Sequence, residues 1–136
     1  MSTSYLVLMA IIGWGIGSLF YKAANDAMHP VMVSTLVTAV YIVMTPITFL
    51  LVKFDKTVTS AGALFAIIGA VCMAVGSMGY FFALKKGGAG EITTVTALYP
   101  ALTMVLSMVF MGEEMNWRKG LGLALALASV FILSFK

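Results

Sequence analysis

The sequence predicts an all-α membrane protein: a bundle of five transmembrane helices, paired with a second copy as an inverted (antiparallel) homodimer. Three observations carry this. Of 136 residues 62% are hydrophobic and 10% charged, with a mean hydropathy of +1.08. Soluble domains carry about 25% charged residues, so this chain has too few polar side chains to cover a water-exposed surface. The apolar residues also fall into five charge-free runs separated by short charged connections. Finally, the cations divide evenly between the two sides of such a bundle, as counted below. The pI near 9.1 comes from cations scattered in pairs rather than from a basic stripe, which argues against nucleic-acid binding. The lone Cys72 forms no intramolecular disulfide, and no Cys/His cluster points to a metal or a cofactor.

A helical span needs about 20 apolar residues. The runs 2–21, 31–52, 57–84, 92–112 and 120–135 end at Lys22, Lys53, Lys85-Lys86, Glu113 and the C-terminus. They place helices at about 4–22, 31–52, 60–84, 92–112 and 118–135, in one domain over 1–136. The first run lacks a positive n-region and a small-residue cleavage site, so it reads as a retained helix rather than a signal. The second follows His29-Pro30. The last run is short, and its helix takes in part of 117–119, with Trp117 suited to the membrane interface. No ten-residue alternation of apolar and polar positions supports a transmembrane barrel.

No nucleophile–base pair, metal set or phosphate loop stands out, and an enzyme is not expected. Gly13-Trp14-Gly15-Ile16-Gly17 lies inside a membrane helix and is no dinucleotide fingerprint. His29 has no partner to tune it and reads as a solvated loop residue. The informative pattern is hydroxyl placement. Ser34, Thr38, Tyr41, Thr45 and Thr48 fall at steps of 4, 3, 4 and 3, on one face of the second helix. Thr93, Thr96, Thr103 and Ser107 do the same on the fourth, with Pro100 in their row. Lipid tails offer no hydrogen-bond partner, so such rows face a bundle interior or a cavity. Pro100 removes a backbone donor and frees the carbonyl at Thr96. Helix packing is the competing account, because Ser and Thr also bond their own helix carbonyls.

On the third helix Gly69, Cys72 and Gly76 suggest close packing. Tyr80, Phe81 and Phe82 are either pathway aromatics or interfacial anchors. On the fifth, Gly120, Ala124 and Ala128 recur every fourth residue, with Gly122 and Ala126 as a second small-residue row. That helix reads as one that holds other helices. The methionines, eleven in all, suit a plastic apolar lining and lipid-facing positions equally.

The segment 76–103, GSMGYFFALKKGGAGEITTVTALYPALT, followed by 106–113 and 120–134, resembles the second half of an EamA domain. That domain is the five-helix unit of the drug/metabolite transporter superfamily. The marks are Ala83-Leu84 with Lys86-Gly87, the run Ala97-Leu98-Tyr99-Pro100-Ala101-Leu102-Thr103, and Gly112-Glu113. Trp14-Gly15, and Lys22 with Pro30, extend the likeness into the first helix. The resemblance implies a transporter of amino acids, metabolites or other small organic solutes, often outward. It implies that helices one, three and four line the pathway and that the fifth joins the halves. Most members carry two such units in inverted orientation; shorter ones carry one. Two features are not carried over. Many longer members have an arginine early in the second helix, where this chain reads Ser34-Thr35-Leu36-Val37-Thr38-Ala39. The related four-helix multidrug proteins use a first-helix glutamate, and this chain has no acid before Asp26.

The resulting expectation is a multi-pass transporter of the cell (inner) membrane, exporting a small organic solute by alternating access as an antiparallel homodimer in lipid. Trp14, Tyr80, Thr96, Tyr99 and Thr103 are the expected solute contacts, and Pro100 the helix break. Gly120, Ala124 and Ala128 are the expected dimer-packing row. Glu91 is the only acid near a polar row. It is either a coupling group or a helix N-terminal residue favoured by the macrodipole, and the latter leaves facilitated diffusion or exchange. Two rivals remain: a non-transporting membrane subunit and a component of a lipid-linked substrate flippase. Orientation follows the Lys/Arg bias of short loops. Lys53, Lys56, Arg118 and Lys119 fall on the N-terminal side and Lys22, Lys85, Lys86 and Lys136 on the other, four against four. The tie predicts both insertions, and one of each forms an inverted pair.

Overall fold

The computed structural model describes residues 3–52 and 57–134. Lys53, Asp55, Lys56 and Lys136 lie outside them, as does the expected helix end at 135. Among the described residues every regular element is α-helical: α1 (Thr3–Ala27), α2 (Pro30–Leu51), α3 (Ser60–Lys86), α4 (Ala89–Thr96), α5 (Tyr99–Met111) and α6 (Trp117–Ser134). Four stretches are long and apolar enough to cross a membrane: α1, α2, α3 and the 23 residues Ala89–Met111 that contain α4 and α5. At 18 residues α6 is about 27 Å long. It begins at Trp117 and so includes the residues that the short fifth run needed. The chain divides into two compact units, Met1–Lys86 and Gly87–Lys136.

In the first unit α1 continues past Lys22, where its apolar run stops. Charge limits a span, not a helix: Lys22 pairs with Asp26 one turn on, which supports the helical turn. His29 is not simply a solvated loop residue. It is the N-cap of α2, its Nδ1 accepting from the Val31 N–H at 3.3 Å, with Pro30 at the first helical position. The capped turn joins α1 to α2 directly, and the two helices are in contact. α2 runs unbroken through Pro46. Thr59 Oγ1 accepts from the Gly62 N–H at 3.2 Å at the start of α3. Lys85 and Lys86 occupy its last turn, where cations complement the helix dipole.

α3 packs against both α1 and α2, and its C-terminus meets the turn between them. Among the described residues of this unit Asn25, Pro30, Val33, Phe81 and Leu84 are the buried ones, and all five lie at that end. Tyr21 meets Phe81 edge-on at 5.2 Å, and His29 meets Phe82 at 5.7 Å. Elsewhere the unit is open. Gly69, Cys72 and Gly76 are exposed, and a Cβ placed on either glycine would meet nothing within 4 Å. The close packing expected around these three is not made inside this unit.

In the second unit the expected helix 92–112 is two helices. The Ala97 N–H reaches the Thr93 carbonyl at 2.9 Å, the Leu98 N–H tightens to Val95 at 3.2 Å, and the next bond runs from Ala101 to Leu98. Pro100 has no N–H for the Thr96 carbonyl, so the ladder restarts at Tyr99. α5 ends at Gly112, whose φ of 67° is left-handed and suits a residue without a Cβ. The N–H groups of Gly112 and Glu113 both reach the Ser107 carbonyl. Asn116 then caps α6, its Oδ1 accepting from the Lys119 N–H at 2.9 Å. α6 packs on both α4 and α5.

Candidate functional site

Three tyrosines from three helices come together in the first unit. Tyr21 of α1, partly buried, interacts with Tyr41 of α2 and Tyr80 of α3. Each lies deeper along its helix than the buried end: Tyr21 one turn before Asn25, Tyr80 one turn before Leu84, Tyr41 about three turns after Pro30. A phenol both donates and accepts a hydrogen bond and presents an aromatic face. Such a cluster suits a small solute with both polar and apolar parts. Trp14, on α1, is 68% exposed.

In the same unit, the α2 hydroxyls of Ser34, Thr35 and Thr38 border an open groove of about 330 Å³. Val31, Ser34, Thr35, Thr38, Ala39 and Ile42 line it from α2, and Met78 from α3. Thr35 Oγ1 donates to the Val31 carbonyl and Thr38 Oγ1 to Ser34, both at 2.9 Å. Thr45 donates to Tyr41 at 2.8 Å, and Thr48 to Thr45 at 2.8 Å. These hydroxyl protons are therefore spent on the helix itself, as the packing account of the row holds. What Thr35 and Thr38 offer the groove is lone pairs.

At the buried end of the unit the exposed Lys85 reaches from α3 to the end of α1. Its Nζ donates to the Asn25 carbonyl at 2.6 Å and lies 3.3 Å from Asp26 O and 3.4 Å from Met28 O. These are carbonyls of the end of α1 and the turn beyond it. Asn25 is fully buried: its Nδ2 donates to Tyr21 O at 2.8 Å, while its Oδ1 accepts no hydrogen bond. Reading the sequence for rows missed Tyr21, Asn25 and Lys85. The available signals were one amide inside the polar end of α1 and a lysine one helical turn after the Tyr80-Phe81-Phe82 triplet.

Thr96, Tyr99 and Thr103 stand in the second unit. Thr96 closes α4 and donates to Ile92 O at 2.7 Å. Tyr99 opens α5, is 53% exposed, and its carbonyl accepts from Thr103 Oγ1 at 3.0 Å. These three and Pro100 sit around the α4–α5 break, where backbone carbonyls lose their helical donors. Glu91 lies in the first turn of α4, the position that the macrodipole favours. Between α5 and α6 a shallow apolar groove of about 310 Å³ is lined by Leu98, Ala101, Leu102, Val105, Leu123 and Leu127. The α6 face turned to that groove is the leucine face; Ala124 and Ala128 are exposed, and Gly120 is partly covered. Among the described residues no group of three His, Cys, Asp or Glu is placed to hold a metal ion.

No solved structure matches the chain. It is 28% identical over 131 residues to an uncharacterized protein of Methanocaldococcus jannaschii, a match that covers 95% of this chain and 93% of the relative. The EamA-like transporter family matches residues 1–135. With that match over almost its whole length, on an all-helical fold with four membrane-crossing stretches, this multi-pass membrane protein belongs to the EamA-like transporter family, part of the drug/metabolite transporter superfamily.

Proposed function

We propose that the chain exports a small organic solute across the cell membrane by alternating access, working as an antiparallel homodimer. The observation that carries this reading is the tyrosine cluster of α1, α2 and α3 next to the buried helix end, in a member of a transporter family. The phenols supply hydrogen bonds and aromatic faces to the solute. Trp14, Thr96, Tyr99 and Thr103 complete its surroundings in the paired assembly, and the break at Pro100 supplies free carbonyls and a hinge. The exposed Ala124 and Ala128, in line with Gly120, form the row through which the second copy packs. The four-against-four cation tally supports both insertions of the chain. Glu91, in a helix first turn rather than in the span interior, fits facilitated diffusion or exchange better than proton coupling.

The test is uptake of a metabolite and drug panel into proteoliposomes of the purified chain. The expected result is saturable movement of at least one solute, with Tyr99→Ala and Thr103→Val each reducing the rate at normal expression. Movement of no solute would favour the packing-subunit or flippase-component rivals, and full rates in both variants would remove the α5 contacts. Reporter fusions at Lys136 are expected on both sides of the membrane. A single side, with parallel cross-links at α6, rejects the antiparallel pair.

A further inference from the structure

We propose that Lys85 is the latch of the first unit: its ammonium is a tethered cation that closes one membrane face over the tyrosine cluster. The proposal rests on the alternating-access reading, and on five observations about one place in the fold. The ammonium sits against three backbone carbonyls, those of Asn25, Asp26 and Met28, at 2.6, 3.3 and 3.4 Å. An ammonium carries three protons and no acceptor, so a cradle of carbonyls matches its whole donor set. These carbonyls sit at the negative end of the α1 dipole, where their own helix supplies few donors. The bond from α3 back to α1 spans 60 residues of sequence, so it fastens two separate helices.

Burial is confined to the same place. Asn25, Pro30, Val33, Phe81 and Leu84 are sealed there, while the helices beyond are exposed. A fastening at this end therefore decides whether the unit is shut on that face. The buried Asn25 Oδ1, which accepts nothing, is the opposing element. A buried acceptor without a donor disfavours the state that leaves it so, and opening this end to water would satisfy it. The closed end is thus held by Lys85 against an amide that gains from opening. That is a two-state element, which a face that closes and opens in turn requires.

Two features separate this role from general charge balance. Lys22, the nearest other cation in α1, is engaged by Asp26 on its own helix. Lys86 follows Lys85 at a different angle of α3 and makes no bond to the cradle. The fastening therefore depends on one side chain and on its N–H groups, not on net charge alone.

The experiment reads opening directly, with the full chain in lipid nanodiscs where reagent reaches both faces. In a Cys72→Ser background, a cysteine at the sealed position (Val33→Cys) is reacted with a membrane-impermeant maleimide, and Val31→Cys, on the exposed face, serves as the control. Lys85→Met is expected to speed labelling at position 33 by about tenfold, the loss of a charge-assisted bond, with position 31 unchanged. Lys85→Arg keeps the charge but offers a planar fork, and is expected to label about two- to threefold faster than wild type. In Lys85→Ala, ethylammonium in the buffer is expected to slow labelling again, whereas tetramethylammonium, a cation without N–H groups, is not.

Labelling that is equal in wild type, Lys85→Met and Lys85→Arg overturns the latch. Rescue by both cations alike overturns the N–H cradle. Should Lys85→Met fail to give a monodisperse protein, the arginine and alanine variants read the same equilibrium. Faster labelling in a chain that moves no solute keeps the latch and sinks the transport reading. Normal transport with unchanged labelling does the reverse.

Discussion

The two units of the chain meet the same problem, apolar helices with little water-driven reason to associate, and solve it to different degrees. In the first, three long helices converge on one end and bury an amide, a proline and three large apolar side chains there. In the second, no described residue of α4, α5 or α6 reaches full burial. Its definition comes from backbone punctuation: the Pro100 break, the left-handed Gly112 and the Asn116 cap. Lipid tails are as apolar as leucine, so helices associate through packing fit and hydrogen bonds rather than hydrophobic expulsion. The first unit has both at its sealed end. The second has a leucine groove and an exposed small-residue row, surfaces that its own three helices leave uncovered.

The largest expected effect of that difference falls on the sealed end. Leu84 is fully buried, and Leu84→Ala is expected to lower stability by about 2–4 kcal/mol, the range for a large-to-small change at a closed site. The matching change in the second unit, Leu102→Ala at a residue 61% exposed, is expected to cost well under about 1 kcal/mol. Thermal or denaturant unfolding in detergent micelles compares them. Equal losses would mean that the second unit is packed by something as tightly as the first packs itself, and a self-associated second unit is then the first explanation to test.

Glycines give a smaller contrast of opposite sign. Gly112 sits at φ 67° with open space around it, so the cost of a side chain there is conformational and not steric. Gly112→Ala is expected to destabilise by about 1 kcal/mol. Gly76 lies inside α3 with ordinary backbone angles and nothing within 4 Å of an added Cβ. Gly76→Ala is expected to be neutral or to stabilise by up to about 1 kcal/mol through helix propensity. Destabilisation at Gly76 would instead show that a second helix reaches that face in the membrane, as the small-residue reading of α3 supposes.

How far the sequence reveals this molecule follows from what each signal measures. Charge-free runs mark hydrocarbon-crossing lengths, and those were readable. They do not mark helix ends, because Lys22 and Asp26, or Lys85 and Lys86, extend a helix into the interface without strain. Pro100 and Pro46 show the same limit. Both remove a donor, yet α2 continues through Pro46, whereas the helix at Pro100 divides into α4 and α5. The surroundings decide, and a window of sequence does not carry them. Hydroxyl rows locate polar faces but not what their protons do; Thr35, Thr38, Thr45, Thr96 and Thr103 each donate to their own helix. The Asn25–Lys85 fastening lies beyond any periodicity argument, since its partners are 60 residues apart.

The smallest expected effects are in the ion pairs, where the comparison is sharpest because the chemistry is matched. Lys22–Asp26 spans 2.5 Å in the first unit, and Lys119–Glu113 spans 3.2 Å in the second. Both carboxylates are more than half exposed, at 55% and 51%, so solvent and salt screen each pair. Taken as isolated surface pairs, Asp26→Asn and Glu113→Gln are each expected to cost about 0.5 kcal/mol or less, fading at high salt. Lys119 also donates to the Glu114 carbonyl at 3.1 Å, which keeps it placed when Glu113 loses its charge. Asp26 has a different setting: its own backbone carbonyl is one of the three that face Lys85. Unfolding in low and high salt separates the two cases. If Asp26→Asn costs several times more than Glu113→Gln, and the excess survives high salt, the sealed end is a coupled charge network. Equal, salt-sensitive losses leave packing and the Lys85 cradle as what distinguishes the first unit from the second.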